Sequence, residues 1–304
     1  MPSKAPLASV SFVSLTNNQF SIFNFQLLSG TSSTFECFQL SARRWANGPF
    51  GFGWFIIFFF VLAPILCLAQ PKSELSPPPL LEPGEGERQA RALLARLLEQ
   101  KPEQPSTNSG VLKIRDAEGK TREVSARFDI VPARDKWQTV YEAAGAPGSQ
   151  PANLTIIHSD AQPNQYLLSG PSVPPRKLTP AELMAPFAGS DFWIADLGLE
   201  FLHWPQQRVL RKQMRKGLSC DVLQSINPQP TPGGYSRVVS WIAINRPEDI
   251  VIVHAEAFDT RDKLLKEFDP KKVEKVNGVW QLEEMEIRNR QTGTRTRIEF
   301  NLGE

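Results

Sequence analysis

Two periods of hydrophobic and polar residues divide the chain. Over residues 87–101, Ala90, Leu93, Leu94, Leu97 and Leu98 recur at helical spacing with the charges opposite, which predicts one amphipathic helix. After the polar stretch 106–110 the period becomes two. Residues 111–115 and 121–131 read as a hairpin turning at 116–119, and shorter strand-like runs follow at 136–142, 154–158 and 165–168, separated by Gly, Pro, Asn and Asp. From Arg208 strands return without interruption, at 208–214, 219–225, 237–244, 250–258, 264–275, 279–287 and 294–302. The connections are short, so antiparallel neighbours are expected.

Several runs show which residues share a face. Thr294, Thr296, Ile298, Phe300 and Leu302 lie on one side of the last run and Arg295, Arg297, Glu299 and Asn301 on the other, so this sheet has a dry side and a wet side. In 250–258, His254 and Glu256 point one way and Val251, Val253, Ala255 and Ala257 the other. Leu282 and Met285 stand three apart across Glu283 and Glu284, the spacing of a β-bulge. The middle of the chain departs from the strand pattern. Thr179 as N-cap, Pro180 at the first helical position and Glu182 reaching back predict a helix start, and 191–198 a second helical piece. Leu183, Met184, Phe187, Phe192, Trp193 and Ile194 make this connection unusually apolar. Eleven or twelve antiparallel strands with an N-terminal helix and a central helical lid predict a mainly β fold, in which one strongly curved sheet carries helices on its concave face.

Arg43 and Arg44 precede an uncharged run, 50–69, that ends in Cys67-Leu68-Ala69. This reads as a signal peptide over 43–69 cleaved before Gln70, with an uncleaved membrane anchor as the other reading of a run this long. Residues 1–42 are Ser- and Phe-rich without periodicity and are expected to be a non-native extension. Residues 70–86 form a Pro-rich linker, and 87–304 the domain. From Gln70 onward 31 basic and 31 acidic residues remain. That balance argues against a nucleic-acid partner, which would demand a basic face.

Candidate chemistry is sparse. Cys220 is the one cysteine after Gln70, expected as a buried small apolar residue, so neither a disulfide nor a Cys-based zinc site can form within the domain. His158, His203 and His254 fit no metal-ligand spacing, and no nucleophile elbow, phosphate loop or dinucleotide fingerprint is present. Glu283, Glu284 and Glu286 are expected as solvated charge on an exposed strand edge, and Arg208, Arg211, Lys212, Arg215 and Lys216 as a solvated strand face, with an anionic-headgroup or partner-docking site as the other reading of this basic cluster. No enzyme activity, metal or cofactor is expected.

The segments GSDFWIADLGLEF (189–201), SCDVLQS, GYSRVVSWIAI, EAFDTRDKLLKEF and NGVWQLEEMEIRNRQTGTRTRIEF (277–300) resemble the outer-membrane lipoprotein-sorting proteins, the LolA-like group, in its uncharacterised branch. The resemblance spans about residues 109–302. It implies an unclosed half-barrel of about eleven strands, a periplasmic location, and an apolar cavity that shields lipoprotein acyl chains, or another lipid, with an inner-membrane transporter and an outer-membrane acceptor as partners. A phospholipid- or glycolipid-binding or envelope-sensing module is the alternative on the same fold. Candidate cavity walls are Phe128, Ile130, Ile156, Trp241, Val251, Val253, Trp280, Leu282, Met285 and Ile287. Candidate lid residues are Leu183, Met184, Phe187, Phe192 and Trp193.

Overall fold

A computed structural model describes residues 78–145, 152–159, 162–170, 173–246, 249–276 and 279–302. The expected extension, the signal peptide and residues 70–77 of the linker lie outside the described residues. So does the side chain of Trp280, whose backbone stands in a strand.

Helix α1, Pro83–Leu98, opens the described chain. It begins four residues ahead of the expected position because Pro83 occupies the first turn, where the missing N–H costs nothing. Its buried residues are Gly86, Ala90, Leu93 and Leu97. Thirteen strands come after it: β1 Ser106–Arg115, β2 Thr121–Pro132, β3 Lys136–Ala143, β4 Ala152–Ser159, β5 Gln165–Gly170, β6 Val173–Lys177, β7 Gln206–Arg215, β8 Leu218–Ile226, β9 Arg237–Arg246, β10 Asp249–Phe258, β11 Leu264–Val276, β12 Val279–Asn289 and β13 Arg295–Phe300. All pair antiparallel in one unclosed sheet of order β6-β5-β4-β3-β2-β1-β13-β12-β11-β10-β9-β8-β7. Two meanders, β1 to β6 and β7 to β13, are therefore zipped together by β1 against β13.

The strand beyond the expected twelve is β6. Pro174 and Pro175 hid it from the periodicity, and an edge position is where proline is tolerated because one side needs no ladder bonds. β1 also starts earlier than expected, since residues 106–110 pair with β2 from Ser106 opposite Ile130 onward. The anticipated irregularity in β12 is present: between Met285 and Leu282 the register to β11 shifts twice, which keeps both residues buried.

The opposite edge, β7, is covered. Leu81 N–H donates to the Leu210 carbonyl at 2.8 Å, and α1 packs so closely that a Cβ at Gly86 would stand 2.5 Å from the Val209 carbonyl oxygen. Both edges are thus closed to strand addition, one by proline and charge, the other by a helix.

Since β6 and β7 lie at opposite edges, residues 178–205 must carry the chain from one to the other. They do so across the face of the sheet. Glu182 accepts from the Thr179 N–H and hydroxyl, both at 2.9 Å, as the capping pattern predicts. The expected helix is cut to a 3-10 turn, Glu182–Met184, by Pro186. A second 3-10 turn, Phe187–Gly189, the short helix α2, Ile194–Leu197, and a third 3-10 turn, Glu200–His203, complete the lid.

Candidate functional site

Register identifies the face that the lid covers. Thr296 on β13 bonds the lid at Asp191, and Thr296 stands opposite Ile114 and Ile287. Ile287 is opposite Phe268, Phe268 opposite Ala255, Ala255 opposite Ser240, and Ser240 opposite Leu223. Residues directly opposite point the same way. The lid-side surface therefore includes Phe128, Ile130, Ile156, Leu282, Met285 and Ile287, all buried. From the lid, Leu183, Phe187 and Phe192 are buried with Ile194 and Leu197, while Met184 and Trp193 are half-buried. Phe187 meets Tyr141 edge to face at 6.1 Å.

Two expected wall residues fall on the other face. Trp241 stands opposite His254 and Val222, one residue out of phase with Ser240, and packs under the Arg215 guanidinium at 4.6 Å. Strand β9 reads VVSWIAI, apolar on both sides, so alternation could not choose its inner face. Val251 is displaced by a bulge between Ile252 and His254, which puts Val251 and His254 on one face and breaks the expected run of small residues. Val253 is the extra residue of that bulge.

Polar anchors tie the lid to both wings of the sheet. Lys266, wholly buried on β11, donates to the Asp191 carbonyl at 2.6 Å, lies 3.5 Å from the Asp196 carboxylate and stands 3.5 Å over the Trp193 ring. Tyr235 donates to Asp196 at 2.9 Å and stacks on Trp193. Burial drives the Lys266 ammonium down to about 8 and pushes the Asp196 carboxyl up, each opposed by the other's charge. The Asp191 carboxylate accepts the hydroxyls of Thr296, at 2.8 Å, and Thr294. On the other wing Arg122 donates to the Gly189 carbonyl at 2.7 Å, and Tyr141 to that of Leu197 at 3.0 Å.

A second cluster fastens the lid beyond α2. Tyr166 donates to Glu200 at 2.8 Å and lies so near the lid backbone that a Cβ at Gly198 would be 2.2 Å from its hydroxyl. Asn164 donates to the Gly198 carbonyl at 2.8 Å, so its own carbonyl oxygen takes the Nδ1 proton of His158, and Thr139 faces Nε2. Burial, aided by His203, holds His158 down at about 3, so the imidazole is neutral with its proton on Nδ1. Glu200 is pushed up to about 7 by burial, against the Tyr166 hydrogen bond.

Sequence reasoning passed over these anchors. Lys266 carried a signal, since a lysine between Leu264 and Phe268 at a period of two is a cation on the dry face. Asp191, Asp196 and Glu200 carried none, because their partners are distant in the chain. A correction applies to Glu286: it is 1 % exposed on the central strand β12, under Arg288, Arg297 and Lys271, rather than solvated at an edge. Cys220 is buried, as expected, and its thiol is pushed up to about 11. Among the described residues no group of three His, Cys, Asp or Glu could hold a metal, and no helix is long and apolar enough to cross a membrane.

No curated protein matches the chain. A DUF1329 family protein from Desulfovibrio piger is similar in structure, with TM-score 0.56 and 17% identity over 71% of this chain and 91% of that one. A putative outer membrane lipoprotein-sorting protein domain from Vibrio parahaemolyticus gives TM-score 0.58 and 17% identity over 73% and 95%. A LolA superfamily protein from Nitrosomonas europaea gives 0.49 and 13% over 70% and 91%. At these identities the first two carry the fold. A family model described as "uncharacterized protein" matches residues 149–302, half of the chain, from β4 through β13. The chain thus belongs to that family of uncharacterized proteins, and its unclosed, curved antiparallel sheet is the fold shared with the DUF1329 protein and the lipoprotein-sorting protein domain.

Proposed function

We propose that the protein is a non-enzymatic periplasmic carrier that shields lipoprotein acyl chains on their way to the outer membrane. The observation that carries this reading is a largely apolar sheet face, interrupted by the polar anchors of the lid and covered by single turns rather than by a second layer of regular structure. An acyl chain in water exposes methylenes worth about 0.8 kcal/mol each, on the order of 10 kcal/mol per chain. A carrier therefore needs a dry surface that can be uncovered and re-covered. Phe187, Phe192, Ile194 and Leu197 supply the covering when the lid is seated, and moving them aside would free the surface around Phe128, Ile156, Met285 and Ile287 for an acyl chain. An inner-membrane transporter would load it and an outer-membrane acceptor would unload it.

Native mass spectrometry and lipid extraction of protein purified from the periplasm test this reading, together with lipoprotein localisation in a null strain. Acylated lipoprotein bound to the wild-type chain, and mislocalised lipoproteins without it, are expected. An empty protein and normal localisation overturn the reading. Phospholipid or glycolipid without lipoprotein moves it to a lipid-binding or envelope-sensing module on the same surface.

A further inference from the structure

On the face away from the lid, three neighbouring strands carry arginines directly opposite one another. Arg115 on β1 faces Arg295 on β13, and Arg295 faces Arg288 on β12. Strands lie about 4.8 Å apart, and like charges directly opposite destabilise a sheet. Arg290, in the turn after β12, joins these three around a cavity of about 290 Å³ between the β1–β2 and β12–β13 turns.

The nearby carboxylates neutralise this lining only in part. Glu286 accepts from Arg288 Nε at 2.6 Å but is shared with Arg297 at 3.2 Å, Lys271 at 3.6 Å and Arg295 at 3.9 Å. Glu267 holds Arg290 at 2.5 Å. Asp116, the one carboxylate in the lining, accepts the Lys120 backbone N–H at 2.7 Å. No carboxylate among the described residues pairs with Arg115, which is exposed. Four guanidinium groups therefore surround one cavity with a single acidic side chain in its wall.

We propose that this cavity binds the phosphate group of an anionic ligand. Guanidinium forks match phosphate oxygens in pairs of hydrogen bonds. A tetrahedral phosphate can meet arginines arriving from three strand ends and a turn at once, which a planar carboxylate cannot. The volume sits at the small end of ligand sites, roughly 300 Å³ upward, enough for a phosphate and the start of its ester. A soluble phosphate ester and a phospholipid headgroup share this chemistry. The site lies on the face opposite the lid and stands whether or not the lid side carries lipid.

Protein from cells expressing the full chain is titrated calorimetrically with inorganic phosphate and with glycerol 3-phosphate. In parallel it is floated with phosphatidylcholine vesicles that hold or lack phosphatidylglycerol. Saturable binding in at least one arm is expected, weakened at least tenfold in Arg115→Gln/Arg295→Gln and unchanged in Lys212→Gln on the distant strand β7. The calorimetric arm identifies a soluble phosphate, and the vesicle arm alone a headgroup. Removing opposed like charges should leave the thermal midpoint equal or higher. Should the double variant fail to fold, the exposed Arg115→Gln replaces it, with at least threefold weakening expected. No binding in either arm, or binding that survives the arginine substitutions, overturns the proposal.

Discussion

Lys266 is a cation on the dry side of a sheet, held there by Asp196, the Asp191 carbonyl and the Trp193 ring. Removing one partner of a buried pair strands the other charge. Lys266→Ala should therefore lower unfolding free energy in urea by about 3–5 kcal/mol. Lys266→Met with Asp196→Asn should recover most of that, because no charge is left buried and the amide oxygen still accepts the Trp193 N–H. Glu200 supplies a pH dependence at the same scale. Its folded value, about 7, lies above the ordinary 4.5, so the folded state holds the proton more tightly and the stabilisation is complete below pH 4.5. It is lost as pH rises through 7, by at most about 3 kcal/mol. Glu200→Gln should raise the thermal midpoint relative to wild type at pH 8 and leave the two alike near pH 4.5. His158 acts with the opposite sign. Its folded value is depressed to about 3, so its contribution is present above pH 6.5 and fades as pH falls toward 3. A thermal midpoint in His158→Gln that gains on the wild-type one as pH falls from 6 to 4 is the expected signature, since the difference between the two cancels the opposing contribution of Glu200.

At the scale of elements, close approach decides which segments can dock. Helix α1 lies on the edge strand β7 only because Gly86 lacks a Cβ; the atom it would meet is a strand carbonyl oxygen that cannot swing away. Alanine would gain about 1 kcal/mol in helix propensity, yet the clash outweighs it. Gly86→Ala should lose about 1–3 kcal/mol net and speed hydrogen exchange in α1 and β7 but not in β12. The lid shows why its helices were only partly legible. Thr179, Pro180 and Glu182 marked its start correctly, but Pro186, Gly189 and Gly198 divide the remainder of the lid into single turns. Segments this short draw almost nothing from their own backbone bonds. Their conformation comes from the sheet beneath, through Arg122, Tyr141, Tyr166, Lys266 and Thr296, and those partners lie up to 105 residues away.

For the whole molecule the lid bridges wings that are otherwise joined by β1 against β13. Loosening its hold on one wing should free the apolar face without unfolding the sheet. Arg122→Gln with Tyr141→Phe removes three hydrogen bonds, worth about 1 kcal/mol each. The variant should take up a fluorescent fatty acid at least severalfold faster than wild type while its near-ultraviolet dichroism stays native. Equal rates would mean that the lid is not the barrier. Twelve of the thirteen strands, both helical regions and the β12 bulge were legible in the sequence, because alternation and helical spacing are written in neighbouring residues. So was the dry face wherever one side of a strand is polar, as in β13. Only the tertiary structure decided the inner face of β9, apolar on both sides, the bulge that turns Val251 away, and the proline-bearing edge strand β6. It alone also brought Lys266 to Asp196 and three arginines into one row, since burial and charge proximity depend on register between strands distant in the chain, which no local pattern encodes.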